Sequence, residues 1–213
     1  PTRGYERFGF FNGGEGTTYT VNNQINVTRD EGTNTADVFW VTPLGTEQLT
    51  NLGESAQIDV KVNFGESVTG EALYRSGPGL YLADSQTEAG AGDSSSVNAQ
   101  FFIGNTNDEF TGNFQVIVYG HDGGYANNNL ASGTGLWSLG DWVTLKVTYT
   151  GNTGGHTYLF SYDLQDGNGF VSLGSKTFTS KLVYAGPQAH TAFYGSGALV
   201  TYPVVNLMSM DNF

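Results

Sequence analysis

Between Trp142 and Tyr149 apolar and polar side chains alternate without a break. Val143, Leu145, Val147 and Tyr149 fall on one face, and Thr144, Lys146 and Thr148 on the other. After a Gly/Asn-rich turn the pattern resumes, with Tyr158, Phe160, Tyr162 and Leu164 opposed by Thr157, Ser161 and Asp163. A period of two predicts half-buried antiparallel strands. The same alternation predicts strands over 18–28, 37–41, 57–64, 79–83, 99–103, 114–119, 142–149, 157–164, 169–178, 192–201 and 204–213. In the third of these, Ile58, Val60, Val62 and Phe64 interleave with Gln57, Asp59, Lys61 and Asn63. Residues 114–119 (Phe-Gln-Val-Ile-Val-Tyr) are apolar on both faces and predict a central strand. The run Asp166-Gly167-Asn168-Gly169 supplies residues that accept positive φ and predicts a hairpin turn.

No helical periodicity, internal repeat or long linker interrupts this grammar. The expected fold is therefore all-β, an antiparallel β-sandwich of the jelly-roll type, formed as one domain over residues 1–213. Two long segments, 84–98 and 120–136, fall between strands. A loop of that length in a compact β domain is commonly functional. The second holds His121, Asp122, Tyr125, Asn127, Asn128 and Asn129, whereas the first, rich in Ser, Gly and acids, reads as a solvated flap.

Composition narrows the function. Charged residues make up 13% of the 213, with Gly, Asn, Thr and Ser in their place, and aromatic residues reach 14%. A surface of neutral hydroxyls and amides predicts a secreted or cell-surface protein. The absence of cysteine removes disulfides and thiolate metal sites without arguing for the cytoplasm. A net charge of −12, with only eight Lys plus Arg, repels phosphate backbones and anionic lipid. The expectation is thus no nucleic acid, no direct membrane insertion and no strongly anionic polysaccharide. Asn26-Val27-Thr28 forms a glycosylation sequon, which matters only in a eukaryotic secretory pathway.

From Ala56 onward the order of features resembles the concanavalin A-like lectin/glucanase jelly rolls. Gly140-Asp141-Trp142-Val143-Thr144-Leu145-Lys146-Val147 resembles the G-x-W-x-x-L-x-V strand of laminin-G-like sugar-binding sandwiches. The following strand and its Asp166–Gly169 turn are similar to the hairpin found there. Met210-Asp211-Asn212-Phe213 resembles the (I/V)-D-N-F closing strand of bacterial secreted sandwich domains. The resemblance implies the sandwich and a carbohydrate-facing surface. It also implies a structural Ca²⁺ joining first and last strands, held by Asp211 with Glu6 or Glu15. Asp211 as a plain hydrogen-bonded edge residue is the alternative.

The chemistry expected of an enzyme on this fold is thin. Hydrolases in the family place three carboxylates on one strand, E-x-D-x-x-E or E-x-D-x-E, and no such run occurs. Lyases need a Tyr or His for proton transfer and an Arg, Gln or Asn to neutralise a uronate. Tyr74, Arg75, Tyr119, His121 and His190 are the available groups, without the family's flanking runs. Sugars stack on flat rings while amides and carboxylates order their hydroxyls. The expected ligand surface is therefore the 120–136 loop and its borders. Tyr125 and Trp137 are its platforms, and Tyr119, His121, Asp122 and Asn127 complete it. Trp137 has a second reading as a loop anchor between Leu136 and Leu139. The expected function is a non-catalytic, lectin-like module for a neutral glycan or polysaccharide. A structural or adhesive subunit, with self-association in an assembly, is the rival, and a polysaccharide hydrolase or lyase the third reading.

Overall fold

A computed structural model describes residues 6–8, 17–22, 24–29, 39–41, 48–62, 72–73, 77–85, 97–104, 115–122, 129–133, 135–138, 140–151, 154–190, 193–194 and 205–211. Among them sixteen strands form: β1 (Glu6–Phe8), β2 (Thr17–Asn22), β3 (Gln24–Arg29), β4 (Phe39–Val41), β5 (Ser55–Val62), β6 (Ala72–Leu73), β7 (Gly77–Ala83), β8 (Asn98–Gly104), β9 (Gln115–His121), β10 (Leu130–Ala131), β11 (Val143–Tyr149), β12 (His156–Asp163), β13 (Val171–Phe178), β14 (Tyr184–His190), β15 (Phe193–Tyr194) and β16 (Val205–Asp211). No helix occurs among the described residues. Seven strands make one antiparallel sheet in the order β13-β12-β11-β5-β16-β3-β2, and five make a second, β10-β9-β8-β7-β14. Two short pairs, β1-β4 and β15-β6, form separate two-stranded sheets, with β4 lying against β14.

The two large sheets pack as a β-sandwich. Ile58 and Val60 of β5, Val143, Leu145 and Val147 of β11, and Phe160 of β12 project from the seven-stranded sheet into one hydrophobic cluster. Leu80, Leu82, Phe101, Ile103, Val116 and Val118 enter the same cluster from the five-stranded sheet. Period-two alternation thus does what it predicts, burying every second side chain. The Tyr158 phenol, inside this core, accepts the Leu182 backbone N–H at 2.7 Å and lies 3.2 Å from the Leu182 carbonyl as donor. Burial pushes that phenol well above its usual titration range, so it stays neutral.

Turn chemistry sets the registers. Asp166 accepts the Asn168 backbone N–H at 2.9 Å, and Gly167 and Gly169 take φ of +87° and +76°. This hairpin joins β12 to β13, the edge strand of the larger sheet. There the register slips between Phe160, opposite Gly174, and Ser161, opposite Ser172, so that β13 carries one extra residue. Gly174 takes φ +138° at this bulge, and a methyl group on it would press to 3.3 Å from Leu130.

Two differences from the sequence expectation have physical causes. Residues 18–28 are two strands, β2 and β3, paired to each other in an antiparallel hairpin. Strand β14 was hidden by Gly186 and Pro187, which lower strand propensity. It lies at the edge of the five-stranded sheet, paired on one side with β7, where a missing N–H is tolerated.

Candidate functional site

The faces of the two sheets turned away from the core cluster between them differ in kind. That of the seven-stranded sheet carries Gln57, Asp59 and Lys61 on β5 and Thr144, Lys146 and Thr148 on β11, the mixture expected of a solvated surface. The second face of the five-stranded sheet holds no Asp, Glu, Lys or Arg among the described residues. Register places Tyr119 beside Gln100 and Gln100 beside Tyr81, in one row across β9, β8 and β7. The next row aligns His121 with Asn98, and the one on the other side aligns Ile117, Phe102, Gly79 and Gln188. None of these side chains belongs to the core cluster between the sheets.

Their environment is specific. Tyr81, Asn98, Gln100, His121 and Gln188 are all buried, and Tyr119 is half-buried. The Tyr119 ring packs on Phe102, with centroids 5.5 Å apart. Gln188 donates a side-chain N–H to Gln100 Oε1 at 3.4 Å, reaching from β14 across β7. It can do so because the residue opposite it is Gly79, which places no side chain in the way. A methyl group at 79 would also lie 2.0 Å from the Phe101 carbonyl oxygen, so only glycine fits. The second acceptor of this amide pair, Gln188 Oε1, is buried with no hydrogen bond among the described residues. Buried acceptors are normally paired, so this atom is a place for a donor.

The residues expected from sequence separate into three groups. Tyr119 and His121 lie on this face, two positions apart on β9. Asp122 does not: it accepts the Thr179 backbone N–H at 3.0 Å and the Thr179 hydroxyl, tying the end of β9 to the turn after β13. Trp137 keeps 8% of its surface exposed and belongs to the core cluster, so its indole presents no open face to a sugar ring. It anchors the loop, while the neighbouring Leu136 is 42% exposed. Tyr125 and Asn127 lie outside the described residues. The sequence reading missed Tyr81, Asn98, Gln100 and Gln188. A signal for two of them existed: Asn98-Ala99-Gln100-Phe101 alternates polar with apolar, but the expected strand began at 99 and the preceding residues were assigned to a flap.

At the chain's closing strand, Asp211 sits directly across the ladder from Asp59. The Gln24 side-chain amide donates to Asp211 at 3.4 Å, and the Thr144 hydroxyl donates to Asp59 at 2.5 Å. Glu6 lies in β1, whose partner is β4 in a separate two-stranded sheet. Its side chain, and all of Glu15, lie outside the described residues. Among the described residues no group of three His, Cys, Asp or Glu side chains is arranged to hold a metal ion. The carboxylate that the structure describes beside Asp211 is Asp59, in place of the Glu6 or Glu15 expected from the sequence.

The fold and face together define a class: an all-β antiparallel sandwich with one uncharged aromatic and amide sheet face. No family model matches the chain, and no curated protein matches it. Among solved structures it is similar to that of a GH43 glycoside hydrolase whose engineered active site displays both endo-xylanase and exo-arabinofuranosidase activity. The two are 11% identical with a TM-score of 0.42, over all of this chain and 41% of that one. The chain thus spans less than half the length of that enzyme.

Proposed function

We propose that this chain is a carbohydrate-binding, lectin-like module without catalytic activity, secreted or held at a cell surface, and that its ligand is a neutral glycan. The observation that carries the reading is the second face of the five-stranded sheet. An outward face that met only water would carry Thr, Lys and Asp, as the other sheet does. This one instead sets the half-buried Tyr119 ring on the fully buried Phe102, beside the buried amides of Gln100, Asn98 and Gln188. Aromatic rings offer flat apolar contact to sugar C–H groups, and side-chain amides match neighbouring hydroxyls as donor and acceptor together. Gln188 Oε1, buried without a hydrogen bond among the described residues, suits an O–H or N–H donor. With no Lys or Arg on the face among the described residues and a net charge of −12, a carboxylated or sulfated polysaccharide is disfavoured.

This reading moves the ligand surface expected at 120–136 onto the sheet, keeps Tyr119 and His121, and releases Asp122 and Trp137 to structural work. It keeps the concanavalin A-like resemblance and the jelly-roll winding as parts of the same proposal. Calcium at Asp211 is carried with it. Like charges directly opposite in a sheet are destabilising, and a divalent ion shared by Asp211 and Asp59 would reverse the sign of that contact.

A glycan array, run beside reducing-sugar and unsaturated-uronide assays, tests the function. Binding of neutral glycans without turnover supports the module. Turnover in either assay overturns it in favour of a hydrolase or lyase. Silence in all three overturns it in favour of a structural or adhesive subunit. Tyr119→Ala should weaken glycan binding by about 1 kcal/mol or more, the usual worth of an aromatic contact.

A further inference from the structure

The tip between β12 and β13 is folded by its own side chains. Asp163 Oδ1 accepts the Gln165 backbone N–H at 2.8 Å, and Gln165 takes φ +55°. Two bonds then tie Asn168 to Asp166. Asp166 Oδ1 accepts the Asn168 backbone N–H at 2.9 Å, and Oδ2 accepts its side-chain amide N–H at 2.8 Å. Residues 165–168 are exposed. The bonds from the Asn168 backbone and side chain hold the Asp166 carboxyl below the usual carboxylate value, so at neutral pH this clamp is anionic. A hydrogen bond to an ionised acceptor is roughly twice as strong as a neutral one.

Among the described residues Asn168 is the one asparagine followed by a glycine. An asparagine carries a carbonyl carbon, with ammonia as its leaving group, within reach of the next residue's main-chain nitrogen. A side chain on that next residue hinders the approach. Gly169 has none, and a methyl group placed on it would meet nothing within 4 Å, so no other part of the chain crowds the turn. What opposes the reaction is Asp166. Its Oδ2 tethers the Asn168 amide and, by accepting from Nδ2, keeps electron density on the nitrogen that would have to leave.

We propose that Asn168 is a self-modification site, at which the Gly169 nitrogen closes on the Asn168 side chain to form a succinimide, and that the Asp166 carboxylate restrains this closure. The Gly169 nitrogen adds its lone pair to Asn168 Cγ. The amide nitrogen leaves with the electron pair of the broken Cγ–N bond, takes up the Gly169 N–H proton and departs as ammonia. Water then opens the ring, at Cγ to give aspartate or at the main-chain carbonyl carbon to give isoaspartate. Its hydroxyl goes to that carbon and its proton to the Gly169 nitrogen. Water is the only co-reactant, and no oxidant or reductant is needed. The product has lost the donor to Asp166 Oδ2 and carries a carboxylate instead. Two like charges then meet where an amide and a carboxylate were bonded, and they repel. Isoaspartate also lengthens the main chain just before Phe170, whose ring lies 5.2 Å from Lys146 Nζ. Loss of ammonia to solvent makes the change one-way.

The test is incubation of the folded protein in warm, mildly alkaline buffer, with peptide mass spectrometry following the exchange of amide for acid at each asparagine. Asn168 should convert ahead of the other described asparagines. Asp166→Ser keeps a hydroxyl that can accept the Asn168 backbone N–H but offers Nδ2 no carboxylate, and it should convert Asn168 several-fold faster than wild type. In urea, where the clamp is gone, the two proteins should convert at one rate. A folded Asp166→Ser protein no faster than wild type would overturn the inference. So would another described asparagine converting first, or a difference between the two proteins that persists in urea, because it would owe nothing to the turn. Should the variant fail to fold, wild type decides alone: the clamp requires Asn168 to convert more slowly in the folded protein than in urea, and an equal or faster rate overturns it.

Discussion

Phe101 of β8 and Phe160 of β12 meet edge to face across the interior, with ring centroids 5.3 Å apart and planes at 81°. They come from different sheets and are both fully buried, so this contact joins the two layers. The positive edge of one ring rests on the negative face of the other, worth about 0.5–1.5 kcal/mol beyond the area buried. Phe160→Ala should destabilise the protein by about 3–5 kcal/mol in urea unfolding, from lost transfer energy and the cavity left behind. Phe160→Leu should cost distinctly less. Equal losses would mean that ring geometry and volume matter little here.

Trp137 and Tyr119 should behave as opposites. Trp137 is packed in the core, so Trp137→Ala should lower the melting temperature strongly, through a loss of about 3–5 kcal/mol. Tyr119 is half-buried on the candidate face, and its substitution by Ala should act on glycan affinity far more than on melting. Thermal melts of both variants beside a binding assay check the contrast. A Trp137→Ala protein with wild-type melting and lost affinity would return the ligand surface to the loop.

Acid should weaken the turn between Thr50 and Glu54. The Glu54 carboxylate accepts the side-chain amide of Asn51 at 2.7 Å, the backbone N–H groups of Asn51 and Thr50 at 2.8 and 2.7 Å, and the Thr50 hydroxyl at 3.0 Å. These donors, the Asn51 amide foremost, lower its pKa from 4.5 to about 2. Its folded value lies below its unfolded value, so the stability it contributes is fully present above pH 4.5 or so and is lost as the pH falls toward about 2. Glu54→Gln should flatten that part of a melting-temperature profile and leave the neutral part parallel to wild type. An unchanged acid limb would show that the bonds do not survive in solution.

Calcium gives a test at the closing strand. With Asp211 and Asp59 opposed across one ladder, chelation should lower the melting temperature. Ca²⁺ should restore it where Mg²⁺, which prefers tight octahedral sites, does not. Asp211→Asn should abolish the response. A melting curve unmoved by excess chelator, with metal analysis finding no retained ion, would leave Asp211 as an ordinary hydrogen-bonded residue.

How much of this was legible in the sequence depends on whether a residue's neighbours along the chain are also its neighbours in space. The alternation in β5, β11 and β12 was readable because each strand displays its own buried face, and the Asp166–Gly169 hairpin because a turn is local. The candidate site was not readable in the same way. Gln188 and Gln100 meet only because β14 lies beside β7, a pairing of distant segments that no local pattern encodes. The engagement of Asp122 was hidden for a similar reason: Thr179, its partner, is 57 positions away. Trp137 shows the converse limit. Gly and Ser around it suggest an exposed loop, yet one large ring in such a segment is what the core accepts as its anchor.

The bulge at Gly174 bears on how the molecule keeps company with its own copies. β13 ends the larger sheet, and its start leaves Phe170 and Val171 46% and 47% exposed. A straight, apolar edge of this sort is a template on which a second chain could lay a strand. The extra residue bends the edge out of register, and the positive φ is one that an incoming strand could not match. At high concentration the protein should therefore resist edge-to-edge growth into fibres. Replacing Gly174 with a β-branched residue would trade that resistance for a longer ladder.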